Sequence, residues 1–233
     1  MKDLFGKALL DYQNGNYTED IITSTNISEE DDLPLPYLFR SFIDMPKLEQ
    51  KALKLAKGSV LDVGCGSGSH SLYLQEKGFQ VKAIDISQGA IEVAKLRGVL
   101  HAEVKPVLDE TETFDTILLL MNGTGIFKEL SQVSTYLTRL KSLLNVNGQI
   151  LIDSSDIKYM YEDEDGGFWM DMNATYYGEL DYFLSYKNEE EDPMKWLYLD
   201  FEKLQIACET VGLKCELVIE GEHFDYLARL IPA

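Results

Sequence analysis

A chain of 233 residues with 45% hydrophobic residues suits one α/β domain of ordinary size with small additions. Its 21 basic and 40 acidic residues give a formal net charge of −19, which argues against a nucleic-acid partner because such partners require a cationic surface. No apolar run approaches the length of a membrane span, the amino terminus lacks the apolar core of a secretion leader, and the three cysteines show neither metal-ligand nor disulfide spacing. We therefore expect a cytoplasmic protein without a metal site or membrane contact.

The first 57 residues (1–57) predict a helical cap that precedes the core. Apolar residues recur at helical spacing over residues 2–12, a polar and acidic stretch covers residues 18–32, and Pro46 opens a second helix. Arg40 lies among aromatic residues in this cap. It either clamps the carboxylate of a ligand or forms a surface ion pair.

Residues 60–78 predict a strand, a glycine turn and a helix in that order. The apolar strand contains Asp62 and runs into a turn with glycine at every second position, Gly64, Gly66 and Gly68. Glycine permits a positive φ and a closer ligand approach than a Cβ would allow, and the start of the helix adds free N–H donors. We interpret this stretch as a nucleotide-type site, with a glycine turn that binds no ligand as the alternative.

The spacing acid-x-Gly-x-Gly-x-Gly differs from the G-x-G-x-x-G of dinucleotide-binding folds. It resembles the first motif of the class I S-adenosylmethionine-dependent methyltransferases. In that family the loop wraps the methionine moiety and the ribose of the cofactor. The resemblance therefore implies S-adenosyl-L-methionine as cofactor, held by Asp62, Gly64, Cys65, Gly66 and Gly68. Cys65 is then a small loop residue rather than a nucleophile.

Three residues near this motif extend the expected cofactor site. The next strand ends in Asp85, at about the distance downstream at which an acid binds two ribose hydroxyls, and Ile86 follows it. His70 lies just after the glycine loop, where we expect it to pack or form a hydrogen bond near the cofactor rather than to act as a base. Its position at the start of a helix is expected to lower its pKa.

The segment after Asp85 predicts a helix and a third strand. Ser87 is expected to cap the helix, and Gly98 to end it. The resemblance implies an acid against the adenine edge after the third strand, and Asp109 is the candidate. It lies in an acidic run with Glu110 and Glu112, so surface charge is the competing interpretation.

The stretch Phe114–Gly125 predicts the central fourth strand, and it resembles the fourth motif of the same family, which begins Phe-Asp and ends above the transferring methyl group. Met121, Asn122 and Gly123 mark the carboxyl-terminal edge of this strand, where open α/β sheets bind their ligands. The resemblance places all three in the cofactor site, and Arg40 is a further candidate because it could clamp the cofactor carboxylate. A plain turn is the alternative.

The rest of the chain completes the predicted fold. A helix over 132–144 and a strand over 149–153 precede an insertion around 154–199, which carries an acidic loop and an aromatic β-hairpin formed by residues 174–186 and 195–199. A capped helix and an antiparallel pair close the chain. The prediction is a doubly wound, seven-stranded and mostly parallel sheet in a core over 58–233, and the resemblance implies the strand order three, two, one, four, five, seven, six.

The resulting functional hypothesis is in-line methyl transfer from S-adenosylmethionine to an oxygen, nitrogen or carbon of a small molecule. Candidate bases are Asp153, Asp156, His70 and several tyrosines, and none of them is singled out. We expect the cap and the aromatic insertion to build the substrate pocket. The alternatives are a nicotinamide-linked oxidoreductase and a non-catalytic protein that binds the cofactor. No Asn/Asp-Pro-Pro-Tyr/Phe segment points to a nucleic-acid base as substrate.

Overall fold

The structure is a computed structural model, and it describes residues 2–162, 167 and 176–233. The helices are α1 (Leu4–Gln13), α2 (Leu35–Leu38), α3 (Lys47–Leu55), α4 (Ser69–Glu76), α5 (Gln88–Arg97), α6 (Val133–Ser142) and α7 (Phe201–Thr210). The strands are β1 (Ile21–Thr25), β2 (Ser28–Leu33), β3 (Ser59–Val63), β4 (Gln80–Asp85), β5 (Ala102–Val104), β6 (Phe114–Leu119), β7 (Leu144–Ser155), β8 (Glu179–Tyr186), β9 (Glu189–Glu190), β10 (Met194–Leu197), β11 (Leu213–Glu220) and β12 (Asp225–Pro232).

A seven-stranded sheet forms the core, in the order β5-β4-β3-β6-β7-β12-β11. The five strands from β5 to β7 run parallel, and β12 pairs antiparallel with both β7 and β11. This is the predicted order, so the predicted doubly wound sheet is confirmed. β3 and β6 are neighbours in the sheet, and the chain leads from β3 to β4 on one side of this pair and from β6 to β7 on the other. The glycine loop and the end of β6 therefore meet at the carboxyl edge of the sheet.

Local capping sets the helix boundaries much as the sequence predicts. The Ser87 hydroxyl accepts a hydrogen bond from the amide of Ala90 at 3.0 Å, and α5 ends at Gly98, whose φ is 105°. Asp200 caps α7 in the same way, since its carboxylate accepts from the amide of Lys203 at 2.8 Å. These contacts satisfy amides that would otherwise lack a partner at the start of each helix.

A second sheet covers part of the core, in the order β10-β8-β1-β2, with β9 pairing β8. The predicted hairpin supplies β8 and β10. The amino-terminal cap supplies β1 and β2. The expectation of a wholly helical cap was therefore wrong. The sequence of β2 is Ser-Glu-Glu-Asp-Asp-Leu, which shows no apolar alternation. Its strand geometry therefore depends on pairing with β1, which in turn pairs with β8, for example at Ile22 and Ser185.

The cap is fixed to the core by an apolar cluster and a close helix crossing. Leu4 and Leu9 of α1, Ala90 and Val93 of α5 and Leu184 of β8 are all buried in this cluster. At the crossing of α1 and α5, a Cβ added to Gly89 would lie 2.6 Å from the backbone of Gly6. Among the residues described, no helix has both the length and the apolarity to cross a membrane.

Candidate cofactor and acceptor site

The three glycines of the loop after β3 all adopt positive φ, at 72° for Gly64, 52° for Gly66 and 85° for Gly68. Their surroundings differ. A Cβ on Gly68 would lie 2.7 Å from Val99, whereas a Cβ on Gly66 would meet nothing closer than Phe5 at 3.9 Å. Gly68 is thus required for packing against the segment after α5. The backbone at Gly66 is packed less closely, since only Phe5 of α1 comes within ordinary contact distance, as a backbone cradle for a ligand requires.

Asp85 at the end of β4 faces the same loop. Its Oδ2 accepts a hydrogen bond from the amide of Gly66 at 2.9 Å, and its Oδ1 accepts from the amide of Ser87 at 2.9 Å. Each oxygen retains a further acceptor position. Burial raises the pKa of this carboxyl, against the opposing effect of the amide hydrogen bonds. Ile86 beside it is 58% exposed, so an apolar side chain borders the loop.

Asp62 and Cys65 lie beneath the loop rather than on its surface. Asp62 is 2% exposed, and its Oδ2 accepts from the hydroxyl of Ser71 at 2.6 Å. Burial raises the pKa of both side chains. The Cys65 thiol is therefore held in its protonated form, which agrees with a packing role and not with that of a nucleophile.

A buried ion cluster joins the cap to the loop, and we name it the Arg40–Glu49–His70 cluster. One terminal nitrogen of Arg40 donates to both oxygens of Glu49, at 2.5 and 2.6 Å, and the other donates to the carbonyl of Tyr37 at 2.5 Å. The Nε2 of His70 lies 2.7 Å from the second Glu49 oxygen. The three residues are 8%, 3% and 8% exposed, so the charges compensate one another away from solvent.

The pKa values in this cluster follow from the pairing. Burial alone would lower the pKa of His70, but its hydrogen bond to Glu49 and the nearby Asp62 raise it above its ordinary value. The expected lowering by the helix start was therefore wrong, because the neighbouring carboxylates outweigh it. For Glu49, burial acts to raise the pKa, but the contacts with His70 and Arg40 outweigh this effect, so the pKa is lowered.

Arg40 forms a buried pair instead of the surface pair considered from the sequence, and its role as a carboxylate clamp stays a prediction. Glu49 was missed altogether. The sequence did contain a pattern that could have found it, since Glu49 occupies the apolar stripe of α3 with Leu48, Ala52 and Leu53. A glutamate on a buried helix face requires a partner.

The turn after β6 is held in an unusual backbone conformation. Met121 and Asn122 have φ values of 67° and 59°, which residues other than glycine rarely adopt. Asp153, at the end of β7, accepts from the amides of Met121 at 2.9 Å and Gly123 at 2.8 Å. The Asn122 amide group donates to the carbonyl of Leu197 at 3.3 Å, so its side chain ties β6 to β10.

Asp109, the expected adenine-edge acid, is exposed at the end of a short 3-10 helix, Val107–Asp109. The buried acid of that run is its neighbour Glu110, which lies 3.0 Å from the ammonium of Lys82 and 3.3 Å from that of Lys105. Glu110 thus has a structural partner set, while the contact of Asp109 with adenine stays a prediction.

In the described part of the chain, one cavity opens at the carboxyl edge of the core and another on the small sheet. The first, of about 260 Å³, is here named the edge cavity; its lining residues are Tyr37, Pro46, Leu48, Glu49, Met121, Asp153 and Asp225. The second, of about 390 Å³, is named the sheet cavity; its lining residues are Thr23, Ser24, Thr25, Ser28, Glu29, Glu30, Asp31, Tyr182 and Tyr198. Met121 of the edge cavity and Tyr198 of the sheet cavity are the chain neighbours of Asn122 and Leu197, whose side-chain contact is described above.

Part of the predicted aromatic insertion lies outside the described residues, namely Phe168 and Trp169, as do residues 163–165 of the acidic loop. Tyr176 and Tyr177 are described. The hydroxyl of Tyr176 donates to the carboxylate of Asp200 at 2.6 Å and that of Tyr177 donates to Asp156 at 2.8 Å. Asp156 is therefore paired with a tyrosine and does not line either cavity. Within the described part of the chain, no three His, Cys, Asp or Glu residues form a group that could hold a metal ion.

Comparison with known proteins places this chain in a family. A family profile described as a methyltransferase domain matches residues 60–148. A crystal structure of an S-adenosylmethionine-dependent methyltransferase from Bacteroides fragilis, in complex with S-adenosyl-L-homocysteine, is 45% identical, with a TM-score of 0.93 over 100% of this chain and 95% of that chain.

More distant relatives agree with that placement. A putative methyltransferase of Geobacillus sp. (strain WCH70) is 29% identical over 130 residues, which are 51% of this chain and 50% of the relative. The match therefore spans about half the length of that curated relative. The CcbJ methyltransferase of Streptomyces caelestis is 12% identical, with a TM-score of 0.64 over 81% of this chain and 90% of that chain, and this likeness concerns the fold alone.

Proposed function

Because the chain belongs to the S-adenosylmethionine-dependent methyltransferases, we propose that it transfers a methyl group from S-adenosylmethionine to a nucleophilic atom of a small molecule bound in the edge cavity. The observation that carries the proposal is the position of this cavity. It lies where β6 and β7 end, with Met121 and Asp153 in its wall, and the loop after β3 reaches the same edge of the sheet.

The residues at the loop fit the proposed cofactor. Gly66 borders open space that a Cβ would fill, and the carboxylate of Asp85 is oriented by two backbone amides while keeping acceptor positions for hydroxyl donors. When bound, S-adenosylmethionine supplies an electrophilic methyl group on a sulfonium. The protein then has to hold the acceptor in line with that group and exclude water, so binding geometry provides much of the rate.

The acceptor is proposed to lie in the edge cavity, where the cap meets the core. Cap residues Tyr37 and Glu49 line the edge cavity, and strands of both the cap and the insertion line the sheet cavity. Thr25 and Tyr182 are direct partners in the β1–β8 ladder, so their side chains share one face of the small sheet. The lining of the edge cavity supports the expectation that the cap, and not the core alone, selects the acceptor, and a contribution of the insertion stays a prediction.

The proposal is tested first on the cofactor. We expect calorimetry to detect binding of S-adenosylmethionine and S-adenosylhomocysteine and no binding of NAD. We also expect a ligand at one hundred times its Kd to stabilise the protein by about 2.7 kcal/mol. Tight NAD binding with no response to either adenosyl compound would favour the oxidoreductase alternative and refute the proposal.

Catalysis is tested by the appearance of S-adenosylhomocysteine when the protein is incubated with S-adenosylmethionine and candidate acceptors. We expect product formation that depends on the acceptor. Binding of the cofactor with no turnover on any small-molecule acceptor would instead favour the non-catalytic, cofactor-binding alternative.

A further inference from the structure

We propose that Asp153 is the proton acceptor of the reaction and that the methyl acceptor is an amine. This inference rests on the proposed methyltransferase function, and it deepens that function by naming the acceptor chemistry. The observation behind it is a buried carboxylate in the wall of the edge cavity, placed at the end of β7 next to the turn that closes β6.

The geometry presents this carboxylate as an acceptor. Its two oxygens each accept one backbone amide, from Met121 and Gly123, and these bonds fix its orientation. A carboxylate has about four acceptor positions, so positions remain on both oxygens. Among the described residues, no ion pair involves Asp153, whereas Glu49 in the same wall is neutralised by Arg40 and hydrogen-bonded to His70. Asp153 is thus the carboxylate of the cavity that combines deep burial with the lack of a cationic partner.

The charged groups around Asp153 come from several elements. The charges of Glu49 on α3 and His70 on α4 affect the pKa of Asp153. Tyr37 lines the same cavity, and Asp225 and Tyr226 lie on β12. Burial raises the pKa of Asp153 to about 7, and Glu49 adds to this, against the opposing effects of the two amides and His70. A carboxyl in this range changes protonation near neutral pH, as an efficient general base does.

The acidity of the cavity favours an amine over an alcohol. Among the described residues, the lining of the edge cavity includes three carboxylates and a phenol and no basic side chain. A protonated amine would be attracted to this wall, and its ordinary pKa of about 10 lies within roughly three units of that of Asp153. An aliphatic hydroxyl is a far weaker acid, so the same carboxylate would remove its proton much less readily.

The proposed step balances as follows. An N–H proton of the ammonium passes to the Asp153 carboxylate, which frees the nitrogen lone pair. That lone pair forms the new N–C bond while the S–C bond breaks, and the electron pair of that bond stays on sulfur. The products are the methylated amine and S-adenosylhomocysteine, and the proton leaves Asp153 for solvent. Transfer of the proton also removes the repulsion between an ammonium and a sulfonium.

The first test measures the protonation of Asp153 without substrate. In protein labelled with ¹³C at aspartate carboxyls, the Asp153 resonance is identified by its absence in Asp153→Asn. We expect it to titrate near neutral pH. Titration in the range of an ordinary aspartate, about 4, would overturn the inference.

The second test uses ethanolamine, putrescine and glucosamine as probes, each against the matching alcohol: ethylene glycol, butanediol and glucose. We expect S-adenosylhomocysteine to form with at least one amine and with none of the alcohols. We also expect Asp153→Asn to lower kcat by about 10² to 10⁴-fold while keeping the affinity for S-adenosylmethionine. A base role further predicts that the wild-type rate falls as pH drops through the Asp153 pKa and that this dependence vanishes in the variant.

Asp115→Asn is the matched control. Asp115 also accepts hydrogen bonds, from the amide and the hydroxyl of Ser59 at 2.8 and 3.0 Å and from the side-chain amide of Asn145 at 3.1 Å, but it lies at the opposite end of β6. We expect it to keep wild-type activity. Methylation of alcohols alone, or of no probe by a wild-type protein that binds S-adenosylmethionine, would contradict the amine assignment. Failure of the wild-type protein to bind S-adenosylmethionine would instead contradict the proposed function.

Discussion

The glycines of the loop after β3 share a left-handed backbone but serve different purposes. Gly68 is surrounded by Val99 and Ala94, so its missing Cβ allows α5 and its following segment to approach. Gly66 faces open space, so its missing Cβ benefits whatever enters that space. Substitution at these two residues should therefore separate loss of stability from loss of cofactor binding.

Gly66→Val is expected to abolish binding of S-adenosylmethionine, because a branched side chain would fill the cradle. Its positive φ should also lower the free energy of unfolding by about 1–2 kcal/mol. Gly68→Val should lower that free energy further, since its Cβ would overlap Val99. Chemical denaturation and calorimetry separate the two effects. Gly78→Val is the control: Gly78 has a φ of 87° and open space around it, so the variant should be strained and still bind cofactor. Retained binding in Gly66→Val would place the ligand away from the loop.

Asp85→Ala is expected to weaken cofactor binding by about 2–4 kcal/mol, because it removes a carboxylate proposed to accept both ribose hydroxyls. It also releases the amides of Gly66 and Ser87 that this carboxylate holds. Calorimetric titration of the folded variant gives the change. Glu92→Ala, on the exposed face of α5, should bind as the wild type does. An unchanged Kd in Asp85→Ala would assign the ribose to another residue.

At the scale of elements, α3 connects the cap to the core through one buried glutamate. Its apolar stripe packs beneath the sheet, and Glu49 within that stripe accepts from Arg40 of the cap and contacts His70 of α4. The side chains of Ser67 and Ser69 strengthen the same junction by donating to the carbonyl of Leu38. The cap and the cofactor loop are thereby held as one unit.

Glu49→Gln is expected to lower the free energy of unfolding by about 3–5 kcal/mol, because it leaves the buried Arg40 uncompensated. The lowered pKa of Glu49 gives stability that is lost as pH falls below about 4.3, and the raised pKa of His70 gives stability that is lost as pH rises above about 6.5. The difference between wild type and variant should thus be largest between these values. Denaturant titrations across pH measure it. Glu222→Gln, in the exposed pair with Lys47, should change nothing measurable.

Glu110 joins β4 to the segment before β6 and provides a second, acid-sensitive link. Its amide contacts and its pairing with Lys82 outweigh burial and lower its pKa to about 2. The stability it provides is complete above its unfolded pKa and is lost as pH falls towards 2. We expect Glu110→Gln to be less stable than the wild type by roughly 2 kcal/mol at pH 7, with the difference shrinking below about pH 4. A difference that does not vary with pH would refute this account.

At the scale of the whole molecule, a small sheet joins the amino-terminal cap to the insertion beside the seven-stranded core. The cap supplies β1 and β2 of the small sheet, and the insertion supplies β8 and β10. β1 pairs with β8, and β2 extends the sheet beyond β1. The amino-terminal segment therefore contributes to the small sheet and to the apolar cluster on α5, and we expect it to contribute to the acceptor site.

Deletion of residues 1–36 is expected to abolish methyl transfer and to expose the cofactor, because it removes α1, β1 and β2. It also uncovers Ala90, Val93 and Leu184, so we expect a lower Tm. Phe5→Ala tests the same idea in a chain that keeps its fold, since Phe5 is the group nearest to the open side of Gly66. It should weaken cofactor affinity with a small change in Tm. Full activity of the truncated protein would show that the cap does not form the site.

The sequence by itself determined the core sheet and the cofactor loop, because the patterns that specify them are local. Apolar runs, alternate glycines and capping residues such as Ser87 act within a few residues of one another, so they predicted the strands and the helix boundaries, while the strand order was implied by the family resemblance of the motifs. The motif from Asp62 to Gly68 likewise predicted the family before any contact was known.

Tertiary structure alone decided the partners of the buried charges and the shape of the acceptor region. Glu49 lies between Arg40 and His70 only because the cap folds onto the loop, and the raised pKa of Asp153 arises from burial beside a turn of another strand. The polar strand β2 forms because it pairs with β1. β1 in turn pairs with β8, a strand that is distant in the sequence. Burial and long-range pairing depend on the positions of residues distant in sequence, and no local pattern records them.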